Sequence, residues 1–270
     1  MRHNLLHRGK RRSKSLSVFG TLAAATLFLL PACGGPQSTT TPSEESNVTT
    51  EELTDETARY IGEEVTLRGE VDETVDETSF MIVDDGFFEG ERILVINASS
   101  EPFVIPDVGD SQVQVTGRVE TFVSDDIAGK YGLTLDLDLY GEYESQPVVI
   151  AESMALAPDP GDITEDPEAY YNQRIAVEGV VGEILESGLF TIEEDSLFGG
   201  EALLVIPSEA GTAIQDNEIV AMTGVLRPYI QSEFERDYDL NWDLSISQSI
   251  EAEYEQKPVF VADSVYPSAI

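Results

Sequence analysis

Few residues in this chain can do chemistry, and their types narrow what that chemistry is. Its 270 residues include two histidines and one cysteine. Both histidines, His3 and His7, precede Cys33. A chain processed at Cys33 therefore carries no imidazole and no second thiol. Ser-His-Asp and Cys-His catalysis are excluded from that part, as are the usual nitrogen and sulfur ligands of zinc. Carboxylates remain, in two notable places. The run Asp84-Asp85-Gly86-Phe87-Phe88-Glu89-Gly90-Glu91 sets acids among glycines between two apolar stretches. Oxygen donors on such a loop suit Ca²⁺, so Asp84, Asp85, Glu89 and Glu91 are the candidate metal ligands, although the spacing is not that of an EF-hand. A solvated hairpin accounts for the same residues without a ligand. Further on, Asp136 and Asp138 alternate with Leu135, Leu137 and Leu139. A strand there would put both carboxylates on one face, the raw material of a hydrolase pair or simply a polar outer face.

Cys33 has a chemistry of its own. The segment MRHNLLHRGKRRSKS carries six basic residues and no acid, and LSVFGTLAAATLFLL follows it without a charge. A basic segment before a short apolar run is the layout of a secretory signal peptide, and the run is shorter than the ~20 residues of a spanning helix. It ends in Leu30-Pro31-Ala32-Cys33-Gly34. That ending resembles the lipobox of bacterial lipoproteins, with Pro31 a mild departure. The resemblance implies cleavage between Ala32 and Cys33, a lipid on Cys33, and a protein of the cell envelope held to a membrane outside the cytoplasm. The alternative is an ordinary signal peptide cut near Ala32, with Cys33 incidental. No disulfide can form within the chain, so stability must come from packed cores.

Charge removes further options. The chain has 15 Lys+Arg against 52 Asp+Glu. Six of the basic residues precede Cys33, which leaves nine against 52, a formal net charge of about −43. Phosphate contacts by Lys and Arg supply most nucleic-acid affinity, so no nucleic-acid partner is expected. The same charge keeps the body off anionic lipid, apart from its anchor. It serves solubility or tolerance of salt, and it also attracts cations or basic partners. No cofactor is implied.

The elements that position these residues are organised by duplication. Residues 34–50 are small and polar and read as a flexible tether after the lipidated Cys33, spanning roughly 20–25 Å. Beyond it, residues 58–96 align without a gap on 168–206. Tyr60, Gly69, Phe80 and Leu94-Val95-Ile96 meet Tyr170, Gly179, Phe190 and Leu204-Val205-Ile206. Later, Thr116-Gly117 meets Thr223-Gly224, and Glu142-Tyr143-Glu144 meets Glu253-Tyr254-Glu255. A period near 110 residues is a duplicated domain, not a solenoid repeat. The expected bounds are 1–32 signal peptide, 33–50 tether, 51–157 first copy and 162–270 second copy. The breaker-rich Ala157-Pro158-Asp159-Pro160-Gly161-Asp162 forms a short linker.

Within a copy the hydrophobic period is two. Val65, Leu67 and Val71, then Val113, Val115 and Val119, alternate with polar residues, as half-buried strands do. Gly69, Gly117, Gly179 and Gly224 fall mid-strand, which predicts strongly coiled strands closing a small barrel. Thr49-x-x-Glu52 predicts a capped short helix to about Tyr60, and Asp166-Pro167 predicts the start of its counterpart. In the second copy the expected core is Ile175, Val177, Val181, Phe190, Ile192, Leu204, Ile206, Val225 and Trp242. The pattern Val65-Thr66-Leu67-Arg68-Gly69-Glu70-Val71, Ser79-Phe80-Met81-Ile82, Ile93-Leu94-Val95-Ile96 and Val113-Gln114-Val115-Thr116-Gly117-Arg118-Val119 resembles the OB-type β-barrels of exported bacterial proteins of unassigned function. The resemblance covers about residues 51–267 and implies an all-β fold of two tandem OB-like barrels. OB barrels bind oligonucleotides and oligosaccharides, but basic residues interleaved with aromatics are missing here. The expectation is a non-catalytic, membrane-anchored interaction module with an envelope protein partner. A Ca²⁺-binding envelope protein is the alternative, and a carboxylate hydrolase the third reading.

Overall fold

The computed structural model of the chain describes residues 47–84, 91–99, 101–185, 188–194, 201–208, 214–238 and 244–269, all within one compact unit. The leader, Cys33, Asp85, Glu89 and Trp242 lie outside the described residues. Mainly β structure is observed. Strands β1 (Glu64–Asp76), β2 (Ser79–Val83), β3 (Arg92–Asn97), β4 (Gln112–Thr121) and β5 (Pro147–Leu156) come first. They pair antiparallel as β1–β2, β2–β3, β1–β4 and β4–β5, and a parallel β3–β5 pairing closes a five-stranded barrel.

Strands β6 (Arg174–Ile184), β7 (Phe190–Glu193), β8 (Leu203–Pro207), β9 (Ile219–Pro228) and β10 (Pro258–Pro267) repeat that circuit, closed by a parallel β8–β10 pairing. The registers match as well. Phe80 faces Val95, and Phe190 faces Val205. Val65 faces Gly117, and Ile175 faces Gly224. At Gly117 and Gly224 the neighbouring strand crosses so closely that an added Cβ would strike the carbonyls of Ile150 and Val261. Each close crossing sits beside a register shift, after Thr116 in β4 and after Ala262 in β10. Glycine therefore marks the tight bend where the barrel turns its corner.

Two kinds of strand differ in burial for a physical reason. β1 and β4 alternate, with Val65, Leu67, Val113, Val115 and Val119 filling the barrel interior. β3 and β5 are buried on both faces. Ile93, Val95 and Val149 point inward, whereas Leu94, Ile96, Val148 and Ile150 point outward beneath the excursion between β4 and β5. That excursion holds α3 (Ser124–Tyr131) and α4 (Leu137–Tyr140). The second half does the same. Leu204, Ile206, Val259 and Val261 lie beneath α6 (Gln231–Tyr238) and α7 (Leu244–Tyr254), in contact with Phe234, Ile250 and Tyr254.

Several expectations need correction. Leu135–Leu139 is not a strand. Asp136 caps α4, accepting from the Asp138 amide at 3.0 Å. Asp is a strong N-cap, and among the described residues no strand pairs with 135–139. Val225 is only half-buried, because Val220, Met222 and Leu226 hold the inward positions of β9. Leu204 and Ile206 are buried core residues as expected, in the layer beneath the helices. The tether ends earlier than residue 50. The Val48 amide donates to the Thr66 carbonyl, and Val48 joins Leu53 and Tyr60 in the core. The expected cap is present: Thr49 accepts from the Glu52 amide ahead of α1 (Thr50–Asp55), and α2 (Thr57–Tyr60) follows. Asp166 makes no side-chain cap. α5 (Pro160–Glu165) precedes a single 3-10 turn there.

The seam between the halves is packed. Ala157 is buried, and its carbonyl accepts from Arg68 at 3.1 Å. Leu156 pairs with Ile175 and touches both barrel interiors. Across the same seam the Tyr266 hydroxyl donates to Gln114 at 3.0 Å, and the Asn47 side-chain Nδ2 donates to the Pro267 carbonyl at 3.1 Å.

Candidate functional site

The proposed metal loop is only partly described. The Asp84 carboxylate is engaged, accepting from the amides of Thr50 at 2.9 Å and Glu51 at 2.8 Å. It anchors the first turn of α1, where negative charge suits the orphan N–H groups. Glu91 is exposed at the other end of the loop. Among the described residues no group of three or more His, Cys, Asp or Glu is placed to hold a metal ion. No helix among them is long and apolar enough to cross a membrane.

Two tyrosine-centred places stand out instead, one in each half. In the first, the tight turn between β1 and β2 carries Asp76, Thr78 and Ser79. Asp76 Oδ1 accepts from the Thr78 amide, the Thr78 hydroxyl and the Ser79 hydroxyl, all within 2.9 Å. This is an Asx turn, in which a carboxylate stands in for a turning backbone. Asp76 Oδ2 accepts from the Tyr140 hydroxyl at 2.6 Å, and Tyr140 and Ser79 also contact each other. Burial pushes the Asp76 carboxyl up, but hydrogen bonds from Tyr140, Thr78 and Ser79 outweigh it and hold the group below its ordinary value. Burial and the bond to Asp76 push the Tyr140 phenol up. A nucleophilic serine needs a base that will take its proton. Asp76 is a poor one, and Ser79 is 1% exposed although a cleft of about 420 Å³ opens beside it. The trio therefore acts as a fastening between the β1–β2 turn and the covering excursion.

The second place is a cleft of about 900 Å³ on the other half. Its walls come from the end of β9 (Pro228, Tyr229), the start of α6 (Gln231, Glu235) and the end of α7 (Glu251, Glu255), with Glu168 and Tyr171 opposite. Tyr229 occupies the backbone position that Phe122 holds in the first half. The Phe122 amide donates to the Gln146 carbonyl and the Tyr229 amide to the Lys257 carbonyl. The turn residues Ser145 and Gln256 both take the left-handed conformation, with φ of 68° and 64°. The side chains differ by one hydroxyl. Tyr229 is 1% exposed, and among the described residues its hydroxyl has no hydrogen-bond partner. Burial raises the phenol's pKa, and the charges of Glu251 and Glu235 add to the shift. The phenol is thus neutral, buried and unsatisfied beside carboxylates on the cleft wall. Leaving such a group unpaired costs roughly 1–3 kcal/mol.

Sequence reasoning missed both places. The signal for the second was present: continuing the offset that pairs Thr116-Gly117 with Thr223-Gly224 sets Phe122 against Tyr229. The signal for the first was Asp76-x-Thr78-Ser79 between two strands, matched by Leu189 where Ser79 stands. A third cleft of about 630 Å³ at the seam is lined by Glu70, Asp107, Asp110, Asp162, Glu165 and Asp166. Burial raises Tyr170 beside it, with Asp162 and Asp166 contributing.

No known protein-family model matches the chain, and the curated proteins searched gave no match.

Proposed function

We propose that this chain is a non-catalytic envelope lipoprotein, anchored through a lipid on Cys33, whose tandem OB-type barrels (51–157 and 162–270) form a binding and interaction module. The observation that carries this reading is what recurs and what does not. Strand circuit, register and corner glycines repeat, whereas groups able to do chemistry do not. Leu189 replaces Ser79, and Phe122 stands opposite Tyr229. A shared scaffold with divergent polar groups suits two recognition surfaces better than one duplicated reaction.

The rival readings lose support at particular residues. The hydrolase pair needs Asp136 on a strand face, but it caps a helix. The Ca²⁺ reading needs Asp84, which is spent on α1. Nucleic acid is disfavoured by two observations. OB barrels hold oligonucleotides on the face of strands 2 and 3, and here α3 and α4 or α6 and α7 overlie the matching outer strand faces. In addition, every Lys and Arg after Cys33 except Arg118 lies within ion-pair distance of a carboxylate, and Arg118 donates to the Gly62 carbonyl. Few cations are left to displace counterions from phosphate.

The test is co-purification from detergent-solubilised native membranes, with the wild-type chain and Cys33→Ser compared. The expected result is membrane retention that depends on Cys33 and a partner recovered in stoichiometric amount. Mass spectrometry should find a thioether-linked lipid on Cys33. An unmodified Cys33 would overturn the anchor, and substrate turnover by the purified chain would overturn the non-catalytic reading.

A further inference from the structure

We infer that the cleft walled by Tyr229 is a binding site for an aliphatic ammonium group, of the kind carried by a free diamine or by a lysine side chain. The inference rests on the binding-module reading and deepens it by assigning a ligand class to one surface.

Three independent features point the same way. The first is the orphan hydroxyl. A buried phenol with no partner is an anomaly in a folded protein, where most buried polar atoms are satisfied. It accepts through two lone pairs and donates once, so a ligand carrying N–H donors completes it. The second is the sign of the field. Glu168, Glu235, Glu251 and Glu255 line the cleft, and among the described residues neither Lys nor Arg does. Glu235 and Glu251 are close enough to shift the phenol itself, so their charges act where the hydroxyl sits. An anion would be repelled, and a neutral ligand would gain nothing from these carboxylates. The third is the mixture of walls. Pro167, Tyr171, Pro228 and Ile230 give apolar surface between the acids. An alkyl stem packs on such surface while its charged head stays among carboxylates. The Tyr171 ring offers the head an additional face.

A metal ion does not fit these features, since no described acidic group is drawn together tightly enough to coordinate one. The first half provides an internal contrast. The equivalent backbone position carries Phe122, whose ring stacks on Tyr140 at 5.8 Å with no hydroxyl to satisfy.

The test is isothermal titration of the full-length protein in nonionic detergent with 1,5-diaminopentane, and separately with a short lysine-containing peptide. Saturable binding to one site is expected. Tyr229→Phe should weaken it about tenfold, the scale of one hydrogen bond to a charged group. Glu251→Gln should weaken it by a similar factor. The fully N-methylated diamine keeps its charge but has no N–H to donate, and it should bind at least about tenfold less tightly. Tighter binding of the peptide than of the diamine would support the site with a lysine side chain as its occupant. Tighter binding of the diamine would support it with a free amine. Binding that is unchanged by Tyr229→Phe and by N-methylation would reduce the effect to bulk charge attraction and overturn the inference, as would no saturable binding. A partner recovered from membranes together with no amine binding would remove this site and leave the module reading in place.

Discussion

Tyr140 and Tyr229 are both deeply buried in the layer between a five-strand circuit and its helical cover, yet their hydroxyls have opposite fates. Tyr140 closes a network with Asp76 and Ser79 and ties the cover of the first half to the β1–β2 turn. Tyr229 sits in the wall of the largest of these clefts with its hydroxyl unpartnered. Burial raises both phenols, so exposure does not separate them. What separates them is whether the fold supplies the missing partner. A satisfied buried network specifies and stiffens a structure. An unsatisfied group is stability given up, and where a strand circuit recurs the half that keeps such a group is the natural place to look for a ligand.

The contrast can be tested by changing each half in turn. The largest effects should come from the barrel interiors, which are alike. Phe80→Ala and Phe190→Ala should each cost on the order of 3–5 kcal/mol, read by denaturant unfolding of the full chain. A cost within ~0.5 kcal/mol for either would place that ring outside a packed core and break the equivalence of the halves.

Alkaline pH probes the seam that joins them. Burial holds the Tyr266 phenol up at about 12. Its folded pKa lies above the unfolded value near 10, so the native state keeps a proton that the unfolded chain releases. The contribution is complete below about pH 10 and is lost as pH climbs toward about 12. Its share of the expected fall is on the order of 2–3 kcal/mol, and Tyr266→Phe should remove that share while the other raised phenols, Tyr60 and Tyr140 among them, keep theirs. A slope unchanged in Tyr266→Phe would show that this hydroxyl is not buried at the seam.

Acid should divide the halves. The Asp76 carboxyl is held below its ordinary value, so its contribution is present above about pH 4 and lost as pH falls through the folded pKa. Asp237 on α6 is also held down, by Arg236 and Arg227, but it is solvent-exposed and its pairing is screened, so hydrogen exchange below pH 4 should show amides of the first-half cover, around Ile127 and Tyr140, opening before those around Phe234. Simultaneous opening would mean that Asp76 does not hold that cover in place.

Much of this architecture was legible in the sequence because it is written in apolar and glycine positions. Alternation along Val65–Val71 and the paired glycines at 117 and 224 anticipated a coiled, closed barrel. The continuous runs Ile93–Ile96 and Val148–Ile150 carried a further message, since a strand buried on both faces must be covered. The covering helices were harder to read. Leu135–Leu139 has a strand's alternation, and only the absence of a pairing edge lets Asp136 cap a helix instead. The sites were least legible. Asp76, Ser79 and Tyr140 are up to 64 residues apart and meet only because the excursion folds back over β2 and β3. An unsatisfied hydroxyl is a property of its surroundings, and no residue type announces it.

One tyrosine is a fastening and the other an open site, a difference that needs no ligand to be tested. Tyr140→Phe and Tyr229→Phe each remove a single oxygen from a buried ring, so packing changes little and the hydroxyl's partners decide the outcome. Paired urea unfolding of the two variants and the wild type at pH 7 is the measurement. Tyr140→Phe should lose roughly 1–3 kcal/mol, because Asp76 and Ser79 are left underbonded. Tyr229→Phe should match the wild type or exceed it, because the hydroxyl it removes makes no bond. Loss of more than ~1 kcal/mol in Tyr229→Phe, or none in Tyr140→Phe, would show that the two hydroxyls do not differ in this way.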